Sequence, residues 1–428
     1  MTTEPALTSR SAPSLVARTA LVADPGDLAA LLPDDADPRD LMTWLRDGDG
    51  LVGWGRAASI TCTGPNRFAE ADTWWRAVCE QSVIRDAVHE PGTGPVAFGT
   101  FSFASDSAIA STLVVPSVVV GRKGGKCWVT TIRTGASLPQ NVVIEPSRRP
   151  IAPSSPALRP GALTGPQWAD AVAKTVRRIQ GGAIDKVVLA RDVIATCDEP
   201  LDPRWLLAKL AQDYANTWTF AVDGLLGASP EMLVRRERGL VTSRVLAGTI
   251  RRTQDDEHDL ALAGSLARSS KDLEEHEYAV RSVAESLAPH CQSMNVPESP
   301  FVLHLPNVMH LATDVAGVLG DESSALRLAA SLHPSAAVCG TPTAEAARVI
   351  SELEELDRGR YAGPVGWMDA AGDGEWAIAL RCGELDAQNP SRVRLFAGCG
   401  IVAGSDPEAE LAESEAKLLP MRQALGAI

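Results

Sequence analysis

Strand-forming stretches in this chain follow one another across short glycine-rich turns instead of alternating regularly with helices. GLVGWGRAASI, GPVAFGTFSF and STLVVPSVVVGR read as strands in the first third. TWTFAVDG and LLGAS continue the pattern, EMLVRRE and LVTSRVLAGTIRR form a hairpin about Arg238 and Gly239, and RYAGPVGWMD pairs with EWAIALRCGELD across a glycine-rich turn. Helical patterns are interspersed. ADTWWRAVCEQSVI is one, and Trp168, Val172, Val176 and Ile179 form the stripe of another, capped at Thr164 or Gly165 and ended by Gly181 and Gly182. KDLEEHEYAVRSVAESLAPH, ESSALRLAASL (stopped by His333-Pro334) and AEAARVISELEELDRG (running to Gly359) are the next three. Antiparallel hairpins mixed with helices, without a βαβ rhythm, predict an α+β fold.

The 428 residues allow one large unit or two domains. Residues 1–40 are rich in Ala, Pro, Asp and Ser and read as a partly ordered lead-in; 41–160 form an N-terminal part; 161–428 carry the remaining motifs and pack with that part as one unit. The Pro- and Arg-rich segment ASLPQNVVIEPSRRPIAPSSPALRPG joins them. No apolar run approaches the roughly 18 residues of a membrane span and the polar start lacks a signal-peptide core, so a cytoplasmic protein is expected. The eight cysteines contain no CxxC pair and read as reduced thiols. A net charge of −14 excludes sequence-independent nucleic-acid binding, so any anion site must be built locally.

The candidate chemistry starts in LFAGCGIVAGSDPEAELAESEAK. Its glycines permit close backbone approach, Ser405 or Asp406 caps a helix with Pro407 in its first turn, and Glu410 and Glu413 then lie three apart on one face with Lys417 four further on. A solvated Glu/Lys face is the plainer reading of that segment taken alone. Asp272 and Glu275 repeat the spacing at the start of another helix, where acids also complement the helix dipole. Two such pairs suit an oxygen-loving divalent metal, and carboxylates without cysteines favour Mg²⁺ over Zn²⁺. Lys186 shares a strand face with Val188 and Ala190, although a lysine at a strand end usually reaches water, and Glu231 follows Pro230 at a turn, where a single acid is normally solvated. His304 and His310 lie in strand patterns, where a lone histidine is more often structural than a ligand, and Arg381 follows Ala377 and Ala379 on a face of small residues that suits either a carboxylate ligand or, equally, a surface ion pair. Together these parts match acid/base chemistry on a small polycarboxylate.

From about Thr164 to its end the chain resembles the chorismate-utilising enzymes, which include isochorismate, salicylate, anthranilate and aminodeoxychorismate synthases. The motifs are KVVLAR, SPEMLVR, LAGTIRR, KDLEEH, VMHLATDVAG, LHPSAAVCGTP, YAGPVG, AIALR and GCGIVAGSDPEAELAESEAK, all in the family's order. The resemblance implies extended antiparallel sheets flanked by helices and a Mg²⁺-dependent site. It implies Glu275 and Glu413 as direct metal ligands, Asp272 and Glu410 as holders of its waters, Lys186 as general base and Glu231 as general acid. It further implies Arg381 and Tyr361 on the enolpyruvyl carboxylate, Lys417 and the Gly398 and Gly400 backbone against the substrate, and His310, Gly248, Thr249 and Ala337 around the ring. Three positions bear on the branch. Lys186 favours water over ammonia as the nucleophile, Ala247 stands where a lysine nucleophile would precede the Gly-Thr turn, and Ala337 stands where salicylate synthases tend to have threonine. Isochorismate synthase is the expectation, with chorismate as substrate, as a monomer without a glutamine amidotransferase subunit; salicylate synthase is the alternative, ahead of an ammonia-using synthase or a non-catalytic binding protein. Cys399 between the two glycines, and Thr341 and Thr343 around Pro342, depart from the commoner pattern.

Overall fold

Leu41–Arg46 shows how alternation builds this protein. Met42 and Trp44 enter one apolar cluster while Leu41 and Leu45, on the opposite face, enter another. A strand buried on both faces needs cover on both sides, and a second sheet and a layer of helices supply it. The computed structural model describes residues 12–135, 137–140, 142–253, 255–304 and 308–427; the side chains of Thr249, Lys271, Asp272 and Glu275 lie outside that description.

Among the described residues, thirteen strands form one sheet and ten form another. The first runs from Ala157–Pro160 through Lys186–Thr196, Arg392–Ile401, Cys382–Leu385, Leu225–Ser229, Trp218–Val222 and Leu41–Arg46 to an edge at Leu15–Val22 and Val83–Asp86. The second passes from Cys291–Asn295 through Val308–Leu319, Leu240–Arg251, Met232–Glu237, Gly374–Ile378, Pro364–Asp369 and Val96–Thr100 to Ala58–Cys62. Described pairings are antiparallel apart from Leu15–Val22 with Val83–Asp86. Strands from both sides of residue 160 pair directly, Leu41–Arg46 with Trp218–Val222 and Val96–Thr100 with Pro364–Asp369. The sheets share the apolar cluster containing Trp44, Phe98, Phe220 and Trp376, and helices Pro203–Asp213 and Pro407–Ala424 cover the other face of the first sheet. No helix among the described residues is long and apolar enough to cross a membrane. No disulfide joins any of the eight cysteines, all of which lie among the described residues.

The chain crosses from the first sheet to the second at Pro230 and Glu231, between Leu225–Ser229 and Met232–Glu237. It returns at Ala379 to Arg381, between Gly374–Ile378 and Cys382–Leu385. The two crossings are fastened together: the Ile378 amide donates to Glu231 O at 3.0 Å, Ser229 Oγ to Ile378 O at 2.6 Å, and the Ala228 amide to Arg381 O at 3.2 Å.

These crossings correct one expectation. EWAIALRCGELD is not a single strand; it breaks at Arg381, whose φ of 49° is left-handed and ends the alternation of faces. Two helices are also shorter than their patterns. Thr343–Leu353 stops six residues before Gly359 because Glu354 turns into the interior to meet Arg358. Arg67–Glu80 ends before the β-branched pair Val83 and Ile84, which start an edge strand. Within the lead-in, Leu15–Val22 is a full strand against Lys126–Thr134.

Candidate active site

Lys186 opens the strand Lys186–Thr196, which the helix Gly165–Gln180 delivers after a Gly181-Gly182 stop. Thr164 and Gln167 form a capping box at that helix's start, and Trp168 fixes it to the strand by donating Nε1–H to Ala190 O at 2.9 Å. In register, Val188 faces Gly400 and Ala190 faces Gly398, so Lys186 shares its face with both glycines. A Cβ on Gly400 would lie 2.9 Å from Lys186 Cε, and one on Gly398 would meet Leu189 O at 2.8 Å and the Tyr361 hydroxyl at 3.2 Å. The glycines therefore clear space for the Lys186 and Tyr361 side chains, a use beyond the backbone approach inferred from sequence. Gly400→Ala is expected to push the lysine stem aside and lower kcat about tenfold with little change in melting temperature; steady-state kinetics beside a thermal melt check it, and an unchanged kcat would mean the stem finds another path.

Tyr361 is buried and stacks on Phe396, ring centroids 5.1 Å apart at 8°. Burial raises its phenol above the ordinary range, so the hydroxyl stays a neutral hydrogen-bonding group. The preceding Arg360 holds the turn in place through Asp223 at 3.0 Å and through Glu384. Neither Phe396 nor Arg360 stood out in the sequence, where an aromatic and an arginine in strand and turn carry no distinguishing spacing.

Glu231 sits at the crossing between the sheets, half-buried, its amide held by Ser229 Oγ at 3.3 Å. Desolvation pushes its carboxyl up to about 7, against the pull of Lys186, Lys417 and Arg381. Such a carboxyl holds its proton at a higher pH than an ordinary glutamate does, as a group that must give and recover a proton near neutrality requires. Burial draws the Arg381 guanidinium below its ordinary value. His310 lies opposite Thr249 beside the β-bulge made by Gly248, whose φ of 74° suits glycine. Burial, then Arg381 and Lys417, lower the imidazole to about 4, so it is neutral at pH 7. The Thr249 side chain lies outside the described structure.

Asp406 caps the helix Pro407–Ala424 by accepting from the Ala409 amide at 2.9 Å, with Pro407 in the first turn. Glu410 accepts from Ser405 Oγ at 2.7 Å, and burial raises its carboxyl. For Glu413 burial acts in the same direction, but Lys417, Arg251 and Arg381 outweigh it and hold the carboxyl below its ordinary value. Lys417 Nζ lies 2.7 Å from Glu413 Oε1 and donates to Gly398 O at 2.9 Å. It is thus seated on the candidate metal ligand and the glycine strand. Ligand atoms of Cys399, Glu410 and Glu413 all lie within 4.8 Å of one another. The two carboxylates suit a hard cation, while burial pushes the Cys399 thiol up to about 12 and removes it as a thiolate donor at neutral pH. Asp272 and Glu275 lie on the helix Ser270–Leu287, packed on the strand Leu240–Arg251, but their side chains are outside the described structure.

Ala337 belongs to a tight loop in which the Val338 and Cys339 amides both donate to Ser335 O, at 3.2 and 3.0 Å. The Val188 amide donates to Cys339 O at 2.8 Å, fastening this loop beside the Lys186 strand. A cleft of about 1590 Å³ lined by Arg67, Asp72, His333, Arg348 and Asp357 holds none of the candidate catalytic, substrate-binding or metal-binding residues, so volume alone does not mark the site. One face of the first sheet, the two crossings and the acidic helix bring together a lysine, a near-neutral carboxyl, an arginine and paired carboxylates.

Residues 9–426 match the family described as chorismate binding enzyme. The chain belongs to that family. Isochorismate synthase DhbC of Bacillus subtilis (strain 168) is 42% identical over 271 residues, 60% of this chain and 67% of that protein. The salicylate biosynthesis isochorismate synthase of Pseudomonas aeruginosa is 32% identical over 413 residues, 90% of this chain and 85% of that protein. Among solved structures, MenF, the menaquinone-specific isochorismate synthase from Escherichia coli, superposes with a TM-score of 0.81 at 25% identity, covering 97% of this chain and 95% of that one. The α+β architecture of large antiparallel sheets flanked by helices is the family's fold.

Proposed function

We propose that this group of residues interconverts chorismate and isochorismate by water attack at C2 and departure of the C4 hydroxyl. The chain is an isochorismate synthase, an isomerase, as its curated relatives are. The observation that carries the mechanism is the placement of Glu231 where the chain crosses between the sheets, desolvated and near enough to Lys186, Lys417 and Arg381 for their charges to act on it. One acid and one amine can then serve the two proton transfers that a reversible hydroxyl exchange needs.

Lys186 takes a proton from the water attacking C2, and Glu231 gives one to the hydroxyl leaving C4; in the reverse direction the roles exchange. Arg381 and the neutral Tyr361 hydroxyl hold the enolpyruvyl carboxylate, and His310 lines the ring as a neutral group. Glu413 and Glu410, with Asp272 and Glu275, would hold Mg²⁺. When bound there, Mg²⁺ neutralises the ring carboxylate and draws charge from the conjugated ring. Lys417 supplies positive charge beside Glu413 and Gly398.

Proton NMR of chorismate incubated with the protein and Mg²⁺ tests this reading. Isochorismate should accumulate to a constant ratio with chorismate, and omission of Mg²⁺ should abolish the change. Salicylate and pyruvate rising with turnover would establish the salicylate synthase alternative instead, and an aminated product that requires ammonia would overturn both.

A further inference from the structure

The Lys186–Thr196 strand meets Gly340–Thr341 at Lys186 and Val187 and meets Ala157–Pro160 from Val193 onward. Over the intervening edge its backbone groups are met by other means. The Val188 amide donates to Cys339 O at 2.8 Å, and Ala190 O accepts from Trp168 Nε1 at 2.9 Å. The other two edge groups of Val188 and Ala190 are taken by one ion pair. Arg358 Nη2 donates to Val188 O at 2.7 Å, and Glu354 Oε1 accepts from the Ala190 amide at 2.7 Å. Glu354 and Arg358 are joined to each other through Nε to Oε2 at 2.8 Å and through Nη2 to Oε1, with side chains 1% and 2% exposed.

Arg358 reaches one element more. Its Nη1 donates to Val338 O at 2.8 Å, and the guanidinium lies 4.2 Å from the centroid of the Phe103 ring. A single planar group thus fastens the strand that carries Lys186 to the loop that carries Ala337. The same residue lies three positions before Tyr361, so the clamp meets three pieces of the site. A buried ion pair is weak as a stabilising device, because desolvation of both charges offsets most of their attraction and apolar replacements are often as stable. A planar fork in fixed register does provide position, which an apolar patch does not.

We propose that Glu354 and Arg358 are positioning residues for the reaction, setting Lys186 against the loop around Ala337 at the side of the ring where water attacks. This rests on the reading of Lys186 as the base. Neither residue touches substrate; both act through the strand and loop they hold.

A double-mutant cycle tests it. Arg358→Lys keeps the charge opposite Glu354 but loses the fork that spans Val188 O and Val338 O. It is expected to lower kcat about 10- to 100-fold, a loss of the size that misplacement by about an ångström produces, with KM changed less than about threefold. In a Lys186→Ala background the same change should cost less than about twofold, since a residue acting through Lys186 has nothing left to position. Equal losses in both backgrounds, an unchanged kcat, or a change confined to KM would overturn the proposal. Should Arg358→Lys not fold, Glu354→Gln, which retains an acceptor for the Ala190 amide, goes through the same cycle with the same criteria. Wild-type turnover by Lys186→Ala itself would remove the base assignment and the positioning role with it, an outcome distinct from an additive cycle.

Discussion

Lys186→Ala is expected to lower kcat by about 10²- to 10⁴-fold while chorismate and Mg²⁺ still bind, the range over which positioned general bases contribute. The lysine stem crosses Gly400 on the face shared by Val188 and Ala190, with its Nζ near enough to Glu231 to act on that carboxyl's charge. Truncation leaves the glycine strand, Tyr361 and the acidic helix in place, so the loss belongs to the chemical step. Single-turnover kinetics beside a calorimetric Mg²⁺ titration make the separation. A variant that loses metal affinity in parallel with rate would move Lys186 from proton transfer to site assembly.

Glu231→Gln is expected to produce a loss of about 10²- to 10⁴-fold and to remove one limb of the pH profile. The direction follows from the proton balance. Burial raises this carboxyl to about 7, so below that pH it carries the proton it must donate to the C4 hydroxyl, and above it the group is a carboxylate with nothing to give. For conversion of chorismate, kcat/KM should therefore fall as pH rises through about 7. The glutamine variant keeps the shape of the side chain at every pH and should lack that fall. Persistence of the same limb in Glu231→Gln would assign it to another group. His310 does not compete for the assignment, because its imidazole is lowered to about 4 and stays neutral across this range.

Legibility in the sequence followed the range of the interactions involved. The capped helix Gly165–Gln180, the hairpin Met232–Glu237 with Leu240–Arg251, and the acidic helix Pro407–Ala424 were all readable, because caps, turns and periodicity act within a few residues. The acids at 410 and 413 were readable as a spaced pair. Their immediate partners, Ser405 on Glu410 and Lys417 on Glu413, were equally local, yet nothing in the spacing showed that Lys417 would be engaged by Glu413 and Gly398 O together. Arg381 was misplaced for a different reason. Alternation of faces holds only while a strand stays in one sheet, and Arg381 occupies the left-handed step at which the chain leaves one sheet for the other. Glu354 was hidden inside an amphipathic run that continues past the true helix end, since the force that ends the helix is a buried arginine four residues on and an amide 164 residues away.

By itself, the sequence determined the element types, the α+β class and, through its ordered motifs, the family; it also named the residues proposed to carry the chemistry. Only the tertiary structure decided that two crossings between sheets place Glu231 and Arg381 together, that Gly398 and Gly400 are small to admit Tyr361 and Lys186, and that a buried Glu354–Arg358 pair completes the edge of the base's strand. The physical reason is that desolvation, register across strands and shared carbonyls depend on residues far apart in the chain, whereas propensity and capping do not.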